Sequence, residues 1–273
     1  MEKDHRVEVV YDKGSGEINE DNYLVQDRTF GVFDGTSSLI EKYRDEKGGT
    51  GGYLASSIAR DAFRDSGSLK DLALEANSRV LEEMDARGID TSDKANLWAT
   101  TAAAVRIEDD SFKWLQIRDS PIMAVMEDGS YELMVDQYDH DEETLMQWKE
   151  LAERGVENIR EGVEDKLIEV RRQMNIDYGC INGEEGLEQF INTGKRALKD
   201  VDHILMFTDG LIPPKQDTKA EDDFSKFVEI YRRNGLQEVK EQIRQKERED
   251  PECRKYPRFK THDDIAAIAI TFE

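Results

Sequence analysis

Cysteine is scarce in this chain: Cys180 and Cys253 are the only two in 273 residues. That excludes a disulfide framework and predicts free thiols in a reducing, cytoplasmic setting. Long apolar runs are missing as well. No stretch approaches the roughly 20 residues that span a bilayer, and Met1 to Arg6 do not read as a signal peptide, so no membrane association is expected. Positive charge is also in short supply, with 38 Lys and Arg against 61 Asp and Glu for a formal charge of -23. Such a balance opposes non-specific attraction to nucleic acid or anionic lipid. An anionic substrate would have to be drawn by local positive charge.

What the chain does have is acidic residues at the ends of apolar strands, far apart in sequence. They stand in Asn19-Glu20-Asp21, Phe33-Asp34-Gly35-Thr36, Arg118-Asp119-Ser120, Phe207-Thr208-Asp209-Gly210 and His262-Asp263-Asp264. Carboxylates gathered without cationic partners repel one another, and hard divalent cations with oxygen ligands compensate them best. An aspartate closing a buried strand aims its carboxylate from a rigid element, and a following glycine, as in Asp34-Gly35, allows close backbone approach. Each piece has an ordinary reading in isolation. Asp-Gly is chiefly turn chemistry, and Asp128-Gly129 between Ile122–Met126 and Tyr131–Val135 simply closes a hairpin.

Periodicity predicts strands over 7–11, 22–26 and 29–33, then helices over about 53–64 and 69–84. The glycine run at 48–52 is no phosphate cradle, because no strand leads into it and no Gly-Lys-Ser/Thr follows. Four extended segments between 97 and 135 predict one antiparallel meander. Residues 142–175 read as two charged helices or one bent one, broken near Gly155 and Gly162, and more simply as a solvated helix packed on a sheet than as a partner-docking or substrate-recognition element. A strand over 204–207, a helical stretch over 223–249 divided at Gly235, and a last strand over 265–272 complete the pattern. Grouped strands and paired helices indicate α+β layers in one domain spanning 1–273.

In order and wording, these motifs resemble the metal-dependent serine/threonine protein phosphatases of the PP2C family over nearly the whole chain. The resemblance implies a PP2C-like sandwich of two antiparallel β-sheets flanked by helices on both sides, with metals at one end. It makes Asp34 the carboxylate bridging two Mg²⁺ or Mn²⁺ ions, with the Gly35 carbonyl and Glu20 on the second ion and Asp209 and Asp263 on the first. Asp21 would orient bound water, and Asp119 would help bind a weaker third ion. Asp34, Asp209 and Asp21 then serve hydrolysis of phosphoserine or phosphothreonine in a protein substrate by metal-activated water, with the chain acting as a monomer.

The match also departs from the family. An arginine that binds substrate phosphate stands in many members where this chain has Gly16, leaving Lys13 and Arg118 as candidate phosphate-binding cations. Arg118 replaces a glycine and could instead neutralise Asp119. Thr36 stands where eukaryotic members often carry a histidine, His262 is a candidate general acid, and His140 and His203 read as structural or exposed. Neither cysteine is followed by an arginine at the spacing of a cysteine-dependent phosphatase loop. Two rival readings remain: a catalytically silent PP2C-like binding or regulatory module, motivated by Gly16, and a helical His-Asp phosphohydrolase, motivated by His140-Asp141 and His262-Asp263.

Overall fold

The computed structural model describes residues 5–40, 42–136 and 140–272. In chain order the strands are β1 (His5–Asp12), β2 (Asn22–Gln26), β3 (Thr29–Phe33), β4 (Gly35–Thr36), β5 (Ala99–Thr100), β6 (Ala102–Ile107), β7 (Ser111–Ile117), β8 (Ile122–Met126), β9 (Tyr131–Leu133), β10 (Asn192–Ala197), β11 (Val201–Phe207) and β12 (Ile265–Phe272). The helices are α1 (Gly51–Ala62), α2 (Leu69–Ala86), α3 (Glu142–Glu153), α4 (Ile159–Gly162), α5 (Glu164–Arg171), α6 (Ser225–Asn234) and α7 (Leu236–Arg248). None is long and apolar enough to cross a membrane, among the described residues.

Two five-stranded antiparallel sheets carry the architecture, ordered β1-β12-β11-β8-β9 and β10-β7-β6-β3-β2. Side-chain alternation along the strands builds the layers, because successive residues point to opposite faces. On β12, Ala266, Ile268, Ile270 and Phe272 enter the core between the sheets, while Ile265, Ala267 and Ala269 pack outward beneath α6 and α7. The other sheet follows the same logic. Phe30, Val32, Ala103 and Val105 face inward, and Leu24, Phe33, Ala102 and Ala104 pack against α1 and α2. Each fully buried large side chain stabilises the sandwich by roughly 1.5–3 kcal/mol.

The helices stop and start where local chemistry dictates. Thr50 caps α1 by accepting from the Tyr53 amide at 3.3 Å, and Ser68 caps α2 by accepting from Asp71 at 3.2 Å. Gly155 and Gly235, at φ +73° and +83°, end α3 and separate α6 from α7.

Three local expectations need correction. The four segments between 97 and 135 are not one meander: β6 and β7 belong to one sheet, β8 and β9 to the other. The chain crosses over at Arg118, whose φ of +67° turns it out of the first sheet, and the buried Ser120 hydroxyl lies 2.6 Å from that of Thr101. The charged segment after Glu142 forms three helices rather than two. Its apolar residues Trp148, Ile159, Val163 and Leu167 cluster with Cys253 and Phe259, so these helices pack against the loop that carries those two residues. Finally, β10 went unpredicted, because a strand reading Asn-Thr-Gly-Lys-Arg-Ala at a sheet edge carries no apolar alternation.

Candidate active site at one end of the sandwich

Asp21, Asp34, Asp119, Asp209 and Asp263 all sit at strand ends on the same side of the sheets. Asp34 follows β3 and is pinned through its backbone: its carbonyl accepts from the Thr101 amide at 3.0 Å, and its own amide donates to the Thr101 hydroxyl at 3.3 Å. Asp209 follows β11, where the Thr208 amide donates to the Ala266 carbonyl at 3.0 Å. Burial first, then repulsion from Asp21, Asp119 and Asp263, holds the Asp34 carboxyl well above the usual carboxylate range. Asp21 is raised in the same direction by burial, with Asp209, Asp263 and Asp264 adding to it against a hydrogen bond from Thr208. Desolvation and then Asp34, Asp263 and Asp119 raise Asp209. Asp209 is nevertheless exposed at the cleft, so repulsion by its neighbours is the contribution that survives there.

Other acids at this end are already engaged. Asp263 Oδ1 accepts from Lys260 Nζ at 2.6 Å; Lys260 is exposed at the cleft, and against desolvation by its surroundings the charges of Asp263, Asp34 and Asp209 push its pKa up. Glu20 Oε1 accepts from the Ser37 hydroxyl at 2.5 Å and from the Thr50 hydroxyl. Asp264 is structural: its two carboxylate oxygens accept from the amides of Gly14 and Glu20, each at 2.8 Å, and tie the 14–20 loop to the start of β12. The Gly35 Cα lies against the carbonyls of Glu20 and Gly52, leaving no space for a side chain.

These residues fit divalent cations by chemistry. The set is oxygen-only and rich in mutually repelling carboxylates, and the buried Asp21 Oδ2 and Asp119 Oδ1 have no hydrogen-bond partner. As they stand, no three His, Cys, Asp or Glu side chains among the described residues are grouped closely enough to hold an ion. The hydroxyls on Glu20 and the ammonium on Asp263 are what such an ion would have to displace.

The two candidate phosphate-binding cations are placed differently from expectation. Lys13 Nζ donates to the carbonyls of Gly16 at 2.9 Å and Glu17 at 3.3 Å, closing its own exposed loop. Lys13→Ala is therefore expected to leave KM for a phosphorylated substrate within about twofold, as surface changes of up to about 0.5 kcal/mol do. Arg118 is largely buried and lies 3.1 Å from Asp119 Oδ2, against His140 and over the Tyr178 ring at 5.1 Å. It neutralises one oxygen of Asp119, the arrangement that opposes a third ion.

Sequence reasoning left His140 as structural or exposed and missed Arg171 and Tyr178, which gather around it. His140 is largely buried, 3.1 Å from Asp141 and stacked on Tyr178 at 4.3 Å. Despite its burial, Asp141 is held below the usual range by His140, Arg118 and Arg171. No local pattern signals this cluster, which forms only where the β7–β8 crossover meets the α5 region. His262, expected as a candidate general acid, has its Nδ1 2.8 Å from Glu247 on α7. Burial pushes the Cys180 thiol up, which disfavours a nucleophilic thiolate.

Solved structures resembling this sandwich along its length are serine/threonine phosphatases. The Mycobacterium tuberculosis phosphatase PstP/Ppp superposes with a TM-score of 0.62 at 16% identity, covering 98% of this chain and 99% of that one. The PstP catalytic domain in complex with two manganese ions gives 0.61 at 16%, covering 98% of both. Stp1 of Staphylococcus aureus gives 0.61 at 12%, covering 100% of this chain and 96% of that one. The fold is thus that of the bacterial serine/threonine phosphatases. No curated protein matches the sequence. The family model described as Protein phosphatase 2C matches residues 13–246, and the chain belongs to that family.

Proposed function

We propose that this chain is a metal-dependent phosphatase that hydrolyses phosphoserine or phosphothreonine in proteins. The observation that carries the reading is the electrostatic convergence of Asp34, Asp119, Asp209 and Asp263, drawn from segments up to 229 residues apart, with the ammonium of Lys260 set among them. A folded protein tolerates such repulsion where a ligand relieves it. Asp34, Asp209 and Asp263 with Glu20 and the Gly35 carbonyl would hold two Mg²⁺ or Mn²⁺ ions, a number in keeping with the two manganese ions of the PstP complex. Bound there, such ions supply a nucleophilic hydroxide near neutral pH and neutralise phosphoryl oxygens. The chain's own part is to fix the carboxylates on strand ends, to orient bound water through the buried Asp21 Oδ2, and to wall the cleft. No covalent enzyme intermediate is needed.

One observation favours the silent alternative: Lys260 and Arg118 already pair with Asp263 and Asp119. Hydrolysis of p-nitrophenyl phosphate and of phosphothreonine peptides, with manganese and with EDTA, separates the two readings. Turnover that depends on manganese is expected; its absence from a folded, manganese-bound chain would establish the silent module.

A further inference from the structure

Two clefts open at the acidic end, and between them they are lined by four of the proposed ligands, Asp34 and Gly35 lining neither. Asp119, Asp209 and Asp263 line one, beside Pro213 and Phe259. Glu20, Ser37 and Asp264 line the other, with Lys42 and Arg44. Lys260 lines both. Its ammonium therefore stands between the halves of the site, 2.6 Å from Asp263 Oδ1.

The loop that delivers it is built rather than slack. Asp250 accepts from the amides of Arg254, Lys255 and Tyr256 at 2.9–3.1 Å, and it pairs with the buried Arg258 guanidinium at 2.9 Å. Phe259 packs edge-on against Trp148. Other cations lining the clefts are spent elsewhere: Arg258 on Asp250, Lys215 on Asp222 and Arg44 on Glu17. Lys42 lines the second cleft but not the first, away from Asp119, Asp209 and Asp263. Lys13 closes its own loop, Arg118 serves Asp119, and Gly16 has no side chain.

We propose that Lys260 is the residue that binds the substrate phosphate, and that in the metal-free chain the same ammonium substitutes for the absent positive charge on Asp263. The proposal rests on the phosphatase reading above. An ammonium touching a ligand carboxylate must give way when a divalent ion takes that carboxylate, because the two cations repel. Its tether at the junction keeps it in the space both clefts share, where a phosphoryl dianion next to the ions would meet it. A lysine there acts as a point charge, without the bidentate fork of an arginine.

The test compares the unmodified chain with Lys260→Met and Lys260→Arg, each checked for folding by thermal melting. Manganese binding to metal-free protein and inorganic phosphate binding to manganese-loaded protein are measured by calorimetry, and KM and kcat are measured separately. Lys260→Met is expected to weaken phosphate binding and raise KM by roughly tenfold or more, the loss of one charge-assisted hydrogen bond. It should bind manganese as tightly or more tightly, since the competitor for Asp263 is gone, and Lys260→Arg should restore much of the phosphate affinity. Unchanged phosphate binding in Lys260→Met, in protein that takes up manganese normally, would overturn the proposal and leave the lysine as a counter-ion. An unmodified chain that binds no manganese would instead sink the phosphatase reading, and this inference with it. A chain that binds manganese but turns nothing over still reports on Lys260 through the phosphate calorimetry.

Discussion

Asp34→Asn and Asp209→Asn are each expected to lower manganese-dependent turnover by about a thousandfold or more, because either change removes a charge from the group that holds the ions and their developing phosphoryl charge. The same substitution should act in the opposite direction on stability. In metal-free protein, Asp34 carries a carboxyl raised by burial and by the charges of Asp21, Asp119 and Asp263. Its proton is held more tightly in the folded state than in the unfolded one, so folded stability falls as pH rises from the ordinary carboxylate range through the raised value. Removing the ionisable group removes that penalty. Asp34→Asn is thus expected to melt a few degrees higher than the unmodified chain near neutral pH without metal, a shift of order 1 kcal/mol. With manganese the order should reverse, since a ligand that binds the folded state at a hundred times its Kd adds about 2.7 kcal/mol per site. Melting curves with EDTA and with manganese, read beside initial rates, check both signs. A variant that lost activity and also melted lower without metal would mark Asp34 as a structural acid.

How much of this was legible in the sequence depends on where the information lies. The last strand, Ile265–Phe272, could be read without a fold because both faces are buried, leaving a continuous apolar run bounded by Asp264. β2 and β3 were equally plain, as was the division of the helical stretch at Gly235. The crossover between sheets was not, since a positive φ at Arg118 is a property no arginine advertises. The family could be read because its acids are held by local strand-end motifs, and the comparison with known families agrees. The cations could not. Lys260 gains its place from the Asp250–Arg258 pair and from Phe259 against Trp148, while Lys13, closer in sequence to the expected arginine, is turned onto its own loop. Motifs locate acids that strands fix; they do not locate a charge that a folded-back loop delivers.

Gly35→Ala is expected to be a strongly disruptive single-methyl change at this end of the molecule, of the same kind as one at Gly14 or Gly210, whose added Cβ would also meet backbone. A Cβ at Gly35 would lie 2.3 Å from the Glu20 carbonyl oxygen and 2.4 Å from that of Gly52, and both obstacles are backbone. No rotamer change relieves such a clash, so the 20-loop, β4 or the first turn of α1 must move. Gly52 cannot yield cheaply, because its own hydrogen-side face lies against Thr36 and Gly35 in return. Overpacking of this kind costs about 1–3 kcal/mol, occasionally more, which corresponds to a melting temperature lower by roughly 2–6 °C for a chain of this size. The functional loss should exceed the stability loss. The same three segments carry Glu20 and Asp34, along with Ser37 and Thr50, whose hydroxyls hold the Glu20 carboxylate. Calorimetry is expected to show manganese binding weakened by about tenfold or more, as displaced ligand support does. Gly16→Ala is the contrast: its nearest contact would be the Ile18 carbonyl at 3.2 Å in an exposed loop, and a change within about 0.5 kcal/mol is expected. Equal behaviour of the two variants would mean that the close approach at Gly35 does not set the geometry of the acidic end.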